Sequence, residues 1–180
     1  MRPDAQAIAI RAAVRSDAPA IGRVHVESWR ETYNGVLPDR LLGSLSAVVR
    51  AVMWQGALER EPPVLLFVAQ LASGELTGFA GGGPRRGGAL PHDAEAYAIY
   101  VLRAAQRRGC GRRLMAALAG ALRARGFRSL CLWVLRENAN ARRFYERLGG
   151  AVVGERIEAD GEDAFAEVAY GWADLNALCE

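Results

Sequence analysis

The ten residues QRRGCGRRLM, Gln106 to Met115, decide how the middle of this chain folds. Two glycines, Gly109 and Gly111, stand one residue apart among four arginines, and an apolar helical pattern follows them. A strand that feeds a glycine-rich turn and opens a helix directs backbone N–H groups, and the positive end of the helix dipole, at an anion. The stretch therefore predicts an anion-binding loop at the start of a helix.

Two common phosphate loops fit this stretch poorly. A Walker A loop requires a lysine, and all 23 basic residues of this chain are arginine. A dinucleotide-binding GxGxxG loop requires a third glycine where Leu114 stands, and an acidic residue at the end of a following strand that is apolar here, SLCLWVL (Ser129 to Leu135). The remaining candidate is the pyrophosphate loop for coenzyme A, Q/R-x-x-G-x-G/A, which QRRGCG matches.

Three separate blocks of the sequence resemble the GNAT superfamily of N-acetyltransferases. The first is the loop, and the second is VLRENANARRFYERLGG, which carries Asn138 and Tyr145. The third, VESWRETYNGVLPDRLLGSLS, is similar to the first two helices of many bacterial members. The resemblance touches most of the 180 residues, with one departure: members often have a proline after the strand, where this chain has Arg103.

The order of strand and helix patterns, β-α-α-β-β-β-α-β-α-β-β, predicts an α/β (α+β) fold. Together with the resemblance, it implies a single GNAT-like domain over residues 1–180, with a central mixed, mostly antiparallel sheet of about six to seven strands and about four helices. A strand–helix–strand crossover surrounds the loop, and a hairpin turns at Ser73-Gly74. GGGPRRGG, Gly81 to Gly88, is expected to be a flexible tip. A second phosphate loop is the disfavoured alternative, because no clear helix start follows the glycines.

The resemblance implies a set of cofactor-binding residues. Backbone N–H groups at the strand exit would stabilise the thioester oxygen and pair with the pantetheine arm, and the loop amides and arginines would hold the pyrophosphate. Cys110 is interpreted as a small filler, since direct transfer needs no enzyme nucleophile. The complete set is Val101, Leu102, Arg103, Gln106, Arg107, Arg108, Gly109, Cys110, Gly111, Arg112, Arg113, Asn138 and Tyr145.

The resemblance also implies catalytic roles. Tyr145 matches the general acid that protonates the leaving thiolate, Glu95 could accept the amine proton through water, and Val101 would contribute its N–H group. Two alternatives stay open: Tyr145 could be a core aromatic residue, and Asn138 could cap a helix. For the acceptor, the first helix offers candidate binding residues, namely Glu27, Trp29, Glu31 and Tyr33.

Composition narrows the possible partners. No apolar run approaches the ~20 residues of a membrane span, and the N-terminus does not resemble a signal peptide. The chain has three widely spaced cysteines without a CxxC pair and only two histidines, which favours the cytoplasm and argues against a metal site. The resemblance implies acetyl-CoA as the cofactor and a small-molecule or peptide amine as the acceptor. With the composition, we expect no metal, no membrane partner and no nucleic-acid partner. A homodimer is possible from the resemblance.

Charge is unevenly distributed along the chain. Twelve arginines lie between Arg103 and Arg147, whereas the region from Glu155 to Glu167 is acidic and slightly favours a cationic acceptor. An arginine-rich nucleic-acid-binding module is an alternative, disfavoured because the arginines are not interleaved with exposed aromatic residues. A non-catalytic acyl-CoA sensor is another, disfavoured by the intact Tyr145.

Overall fold

Seven strands and five helices make up the chain in a computed structural model, which describes residues 7–88, 90–160 and 163–179. The strands are β1 (Ile8–Ala12), β2 (Leu65–Leu71), β3 (Leu76–Pro84), β4 (Ala94–Val101), β5 (Leu130–Leu135), β6 (Ala151–Asp160) and β7 (Asp163–Trp172). The helices are α1 (Ala18–Tyr33), α2 (Asp39–Ser44), α3 (Ala47–Glu59), α4 (Cys110–Ala124) and α5 (Ala139–Arg147).

The strands form one mixed sheet in the order β1-β2-β3-β4-β5-β7-β6. The pairs β1–β2, β2–β3, β5–β7 and β6–β7 are antiparallel, whereas β4 and β5 are parallel. Helix α4 connects β4 to β5, as a parallel pair requires. The predicted class and crossover are confirmed, with five helices rather than about four because the segment after α1 forms both α2 and α3.

The chain divides into two compact units. The first comprises the chain through Gly82 together with Ala98–Leu118. Its core includes Ile21, Trp54, Val68 and Phe79, all at most 5% exposed. Helices α1 and α3 approach closely at Gly22, where an added Cβ would lie 2.3 Å from the carbonyl oxygen of Ala47. Only glycine allows that contact.

The second unit comprises Gly83–Tyr97 and the chain from Ala119 onward. Its core includes Leu130, Leu132 and Tyr170, at most 2% exposed. The turn after α5 passes the indole of Trp172 so closely that a Cβ on Gly150 would lie 2.7 Å from that ring. The Trp172 Nε1–H group donates to the carbonyl oxygen of Leu148 at 2.8 Å, which fixes the end of α5 against β7.

The prediction of a flexible tip from Gly81 to Gly88 is wrong for its first half. Strand β3 continues through Pro84, and Gly81, Gly82 and Gly83 are buried. Glycine is required there by packing: a Cβ on Gly81 would lie 2.9 Å from a Leu66 methyl carbon and 3.1 Å from the Trp54 ring. The glycines are therefore sites of close approach within a strand.

Some sequence-based expectations lie outside the described residues. The interpretation of the N-terminus rests partly on residues 1–6, and the acidic stretch includes Glu162. Within the part of the chain that the structure describes, no helix combines the length and the apolar character needed to cross a membrane.

Candidate active site

The exit of β4 is closed by hydrogen bonds within the first unit. The backbone N–H of Leu102 donates to the carbonyl oxygen of Thr77 at 2.8 Å. The side chain of Gln106 turns back, and its Nε2 donates to the carbonyl oxygen of Val101 at 2.9 Å. Gln106, predicted as a cofactor residue, therefore shapes the turn that precedes the glycines.

Arg103 is held by Glu31 through both its backbone and its side chain. Its backbone N–H donates to Glu31 Oε2 at 2.8 Å, and its Nη2 donates to the Glu31 carbonyl oxygen at 2.6 Å. The structure thus gives the N–H groups of Leu102 and Arg103 acceptors within the protein. These two N–H groups, predicted as donors to the coenzyme, are therefore engaged within the protein.

The loop itself combines two left-handed backbone conformations with a helix start. Arg107 has a φ of 60° and Gly109 a φ of 74°, and α4 begins at Cys110. Among the described residues, Arg107 is the non-glycine residue with a positive φ. Left-handed residues next to right-handed ones turn successive N–H groups toward one concavity, which suits an anion. A strained, exposed arginine at this point is typical of a functional loop.

Helix α4 adds donors and charge to the loop. Its first turn carries Gly111, and the first N–H groups of any α-helix lack intrahelical acceptors. Arg107, Arg108, Arg112 and Arg113 are all exposed. Arg113 also anchors the loop, because its Nη1 donates to the carbonyl oxygen of Ile8 at 2.7 Å. Backbone donors and guanidinium groups of this kind fit a pyrophosphate.

Cys110 is buried, with 1% of its surface exposed. Burial raises the pKa of its thiol, against the smaller effect of the positive charges of Arg113 and Arg108. A buried thiol with a raised pKa is a poor nucleophile. The interpretation of Cys110 as a filler is consistent with this environment.

In the second unit, Asn138 is the N-cap of α5. Its Oδ1 accepts a hydrogen bond from the backbone N–H of Ala141 at 3.1 Å. The structural role considered for Asn138 is therefore present. A further contact from this side chain to the coenzyme stays a prediction.

Tyr145 lies on α5 and is 6% exposed. Its ring centroid is 5.7 Å from that of Tyr170 and 6.2 Å from that of Trp172. Tyr170 fixes the helix, because its hydroxyl donates to Glu146 Oε1 at 2.6 Å and accepts from Arg142 Nε at 3.3 Å. Burial raises the pKa of Tyr170. The ring of Tyr145 is thus held in a fixed aromatic setting.

Glu95 lies near the start of β4 and is 5% exposed. Arg86 holds both of its carboxylate oxygens: Nη2 donates to Oε1 at 2.7 Å, and the backbone N–H donates to Oε2 at 3.0 Å. Burial, followed by the negative charge of Glu95, raises the pKa of Cys131 to about 11. Parallel pairing with β5 is formed here, between Ala94 and Leu130 and between Glu95 and Cys131.

The candidate acceptor residues on α1 have different environments. Glu27 is exposed, whereas Tyr33 is buried, and the Trp29 and Tyr33 rings lie 5.2 Å apart edge to face. Trp29 Nε1 is buried and has no hydrogen-bond partner among the residues that the structure describes. The Arg50 guanidinium carbon is 6.0 Å from the Trp29 ring centroid. Glu31 is turned toward the exit of β4, where it binds Arg103. The acceptor role of these four residues stays a prediction.

The first unit therefore brings the loop residues together with Glu31, while Glu95, Asn138 and Tyr145 lie in the second. Sequence reasoning missed Arg86, which binds Glu95, and Tyr97, whose ring lies against the Arg86 guanidinium. The alternation of side chains along a strand could have indicated Tyr97, because residues two apart lie on the same face. Among the described residues, no group of three or more His, Cys, Asp or Glu side chains could hold a metal ion.

Comparison with known proteins bears on the whole chain. The profile of the acetyltransferase (GNAT) family matches residues 25–150. The Bacillus subtilis (strain 168) N-acetyltransferase YuaI is 37% identical over 175 residues, which cover 95% of this chain and 96% of YuaI. The Mycobacterium tuberculosis protein Rv2775, also named as an N-acetyltransferase, is 31% identical over 78% of each chain.

The fold has close counterparts among solved structures. The Salmonella typhimurium protein yncA, solved with its cofactor acetyl-CoA, superimposes with a TM-score of 0.70. The match covers 93% of this chain and 94% of yncA at 20% identity. At that identity the match concerns the fold alone.

Proposed function

Because the chain belongs to the acetyltransferase (GNAT) family, we propose that it transfers an acetyl group from acetyl-CoA to a primary amine by direct attack in a ternary complex. Membership in this family, with N-acetyltransferases as curated relatives, establishes the class of enzyme. We further propose where the cofactor binds, which residues are catalytic and which kind of acceptor is used.

One observation carries the cofactor assignment: the left-handed backbone at Arg107 and Gly109 directly before α4. The N–H groups from Gly109 to Gly111 would bind the pyrophosphate, and the exposed Arg107, Arg108 and Arg112 would add charge. In a loop of this kind, the backbone N–H groups are the main donors to the phosphate oxygens. A loop without lysine can therefore bind a pyrophosphate. When bound, acetyl-CoA supplies an acetyl group activated as a thioester.

Strand β4 would align the reactants. A pantetheine arm that starts at the loop and pairs with β4 extends from Val101 back toward Glu95. The arm would therefore carry its thioester along the strand, in the direction of the carboxylate. The backbone N–H of Val101 would contribute to the donors that stabilise the growing negative charge on the thioester oxygen.

Proton transfer would involve Glu95 and Tyr145. Only the unprotonated amine attacks, so an acceptor that arrives as an ammonium must lose a proton, and Glu95 would take it through water. Tyr145 would donate its phenolic proton to the departing thiolate. Its ring is fixed by Tyr170 and Trp172, which keeps the hydroxyl in one position.

A thiol-release assay tests the proposal. The protein is incubated with acetyl-CoA and members of an amine panel: polyamines, amino acids, aminoglycosides and peptides with free N-termini. We expect free coenzyme A to appear in an amine-dependent way with at least one class. Binding of acetyl-CoA with no release across the panel would instead favour a non-catalytic acyl-CoA sensor.

A further inference from the structure

In the second unit, the guanidinium of Arg86 contacts a buried carboxylate, Glu95, and an aromatic ring, Tyr97. The Glu95 side chain is 6% exposed and holds the Arg86 guanidinium through Oε1 at 2.7 Å. The same guanidinium lies over the Tyr97 ring, with its carbon 3.9 Å from the ring centroid. A buried carboxylate beside an aromatic face is a recognition set for organic cations.

Tyr97 is itself held in place. Its hydroxyl donates to the carbonyl oxygen of Pro84 at 2.6 Å. Glu95 and Tyr97 lie two residues apart on β4, so both side chains extend from the same face of the strand. The strand therefore places the carboxylate and the ring on one face. The backbone N–H of Arg86, which donates to Glu95 Oε2 at 3.0 Å, is a contact that does not depend on the guanidinium.

Arg86 lies in an exposed segment that its neighbour Arg85 stabilises. The side chain of Arg86 is 61% exposed. Arg85 holds the tip: its Nε donates to the carbonyl oxygen of His92 at 2.8 Å, and its Nη1 donates to the carbonyl oxygens of Gly87 and Gly88. The side chain of Arg86 can leave Glu95 while these bonds remain.

We propose that Glu95 and Tyr97 form a subsite for an alkylammonium or guanidinium group, and that Arg86 fills this subsite until an external cation displaces it. Exchange of one cation for another never leaves the buried carboxylate unpaired, which would be costly. A neutral group cannot replace the guanidinium in this way. The subsite therefore selects cationic ligands, and the competition from Arg86 weakens their apparent binding.

The subsite also bears on the proposed function. Identifying the bound cation as the amine acceptor rests on that proposed function. A cationic acceptor held at Glu95 would place its nitrogen beside the residue proposed to receive its proton. The existence of the subsite stands on the geometry alone and can be tested without any acetyl transfer.

The binding test uses n-butylammonium and ethylguanidinium at millimolar concentration, with sodium chloride as the salt-matched control. Thermal unfolding is followed for the wild type, Arg86→Ala, Arg86→Gln, Arg86→Lys and the double variant Arg86→Ala/Glu95→Gln. We expect saturable stabilisation of Arg86→Ala and Arg86→Gln at concentrations at least tenfold lower than for the wild type. Arg86→Lys, which keeps a cation, should respond like the wild type, and the double variant should not respond.

Two results would overturn the subsite: Arg86→Ala and Arg86→Gln responding no better than the wild type, or the double variant responding as strongly as Arg86→Ala. Arg86→Gln keeps a hydrogen-bonding side chain, so it gives the answer if Arg86→Ala does not fold. Kinetics separate this proposal from the function. If the wild type transfers acetyl groups to a cationic amine, Arg86→Gln should lower the KM for that amine about fivefold or more. If no amine is acetylated but the cations bind, the function fails and the subsite stands.

Discussion

The Glu31 carboxylate accepts the backbone N–H of Arg103 at 2.8 Å, across 72 positions of sequence. Arg103 stands where members of the family often have proline, a residue that has no backbone N–H group and could not form this bond. Proline stiffens a strand exit through its ring, whereas here the exit is fixed by Glu31 from helix α1. The same contact gives a physical role to a residue that the sequence suggested for acceptor binding.

Loss of the Glu31 side chain should loosen the turn that leads into the proposed cofactor loop. We expect Glu31→Ala to lower the unfolding free energy by about 1 kcal/mol, the usual net value of such a bond at a partly exposed site. It should also weaken acetyl-CoA binding several-fold. Glu27→Ala is the matched control, because Glu27 is an exposed acid on the same helix. Calorimetry measures the acetyl-CoA affinity of both variants. Equal affinities would show that Glu31 does not support cofactor binding by the loop.

The left-handed backbone of Gly109 gives a second prediction. A Cβ at this position would meet no described atom within 4 Å, and the same is true of Gly126, whose φ is 89°. Alanine should therefore cost about 1–2 kcal/mol of stability at either position through backbone strain alone. We expect Gly109→Ala to weaken acetyl-CoA binding at least tenfold and Gly126→Ala to leave it unchanged. Similar cofactor affinities in the two variants would contradict the proposed pyrophosphate site.

Tyr145→Phe tests the proposed general acid. The substitution keeps the ring that packs on Tyr170 and Trp172 and removes only the hydroxyl. General acid–base groups contribute about 100-fold or more to turnover, so kcat should fall by that order while the acetyl-CoA dissociation constant changes less than threefold. A kcat equal to that of the wild type would remove Tyr145 from the mechanism.

His25 gives the stability of the protein a pH dependence. It is 5% exposed and accepts a hydrogen bond from Trp54 Nε1 at its Nδ1. Burial, with a smaller effect from the charge of Arg50, lowers its pKa from 6.5 to about 3. Below pH 6.5 the unfolded chain binds a proton that the folded protein does not. The contribution of the neutral His25 side chain to the unfolding free energy is therefore complete above pH 6.5. As the pH decreases from 6.5 toward 3, the unfolding free energy falls by up to about 1.4 kcal/mol per pH unit.

The matched variant for this effect is His25→Gln, which retains a hydrogen-bond acceptor near Trp54 and does not titrate. Urea unfolding at several pH values between 4 and 7 measures both proteins. We expect a shallower pH dependence for the variant over this range. Parallel curves would show that His25 does not titrate as its burial implies.

Local patterns in the sequence predicted the features that depend on neighbouring residues. The glycine spacing around Cys110 indicated a loop that begins a helix, and Asn138 was recognised as a possible N-cap, because both depend on a few consecutive residues. The strand through Gly81 was missed, since its glycine is required by Trp54 and Leu66, which come from other elements.

Long-range partners could not be predicted in the same way. Arg86 meets Glu95 only because β3 and β4 are neighbouring strands, and nothing in the composition of the tip distinguishes Arg86 from Arg85. The contact between Glu31 and Arg103 likewise depends on how α1 packs within the first unit. Both pairs are products of tertiary structure, and both bear on the candidate site.

Binding of acetyl-CoA is the central claim, and thermal unfolding with and without this cofactor tests it most directly. A ligand at about 100 times its dissociation constant adds about 2.7 kcal/mol to the unfolding free energy, which corresponds to roughly 5–10 °C for a chain of this size. ATP is the control, because it shares the adenine and the linked phosphates but lacks the pantetheine arm. We predict a rise in melting temperature of this order with millimolar acetyl-CoA and a much smaller one with ATP. An unchanged melting temperature with acetyl-CoA would contradict the account.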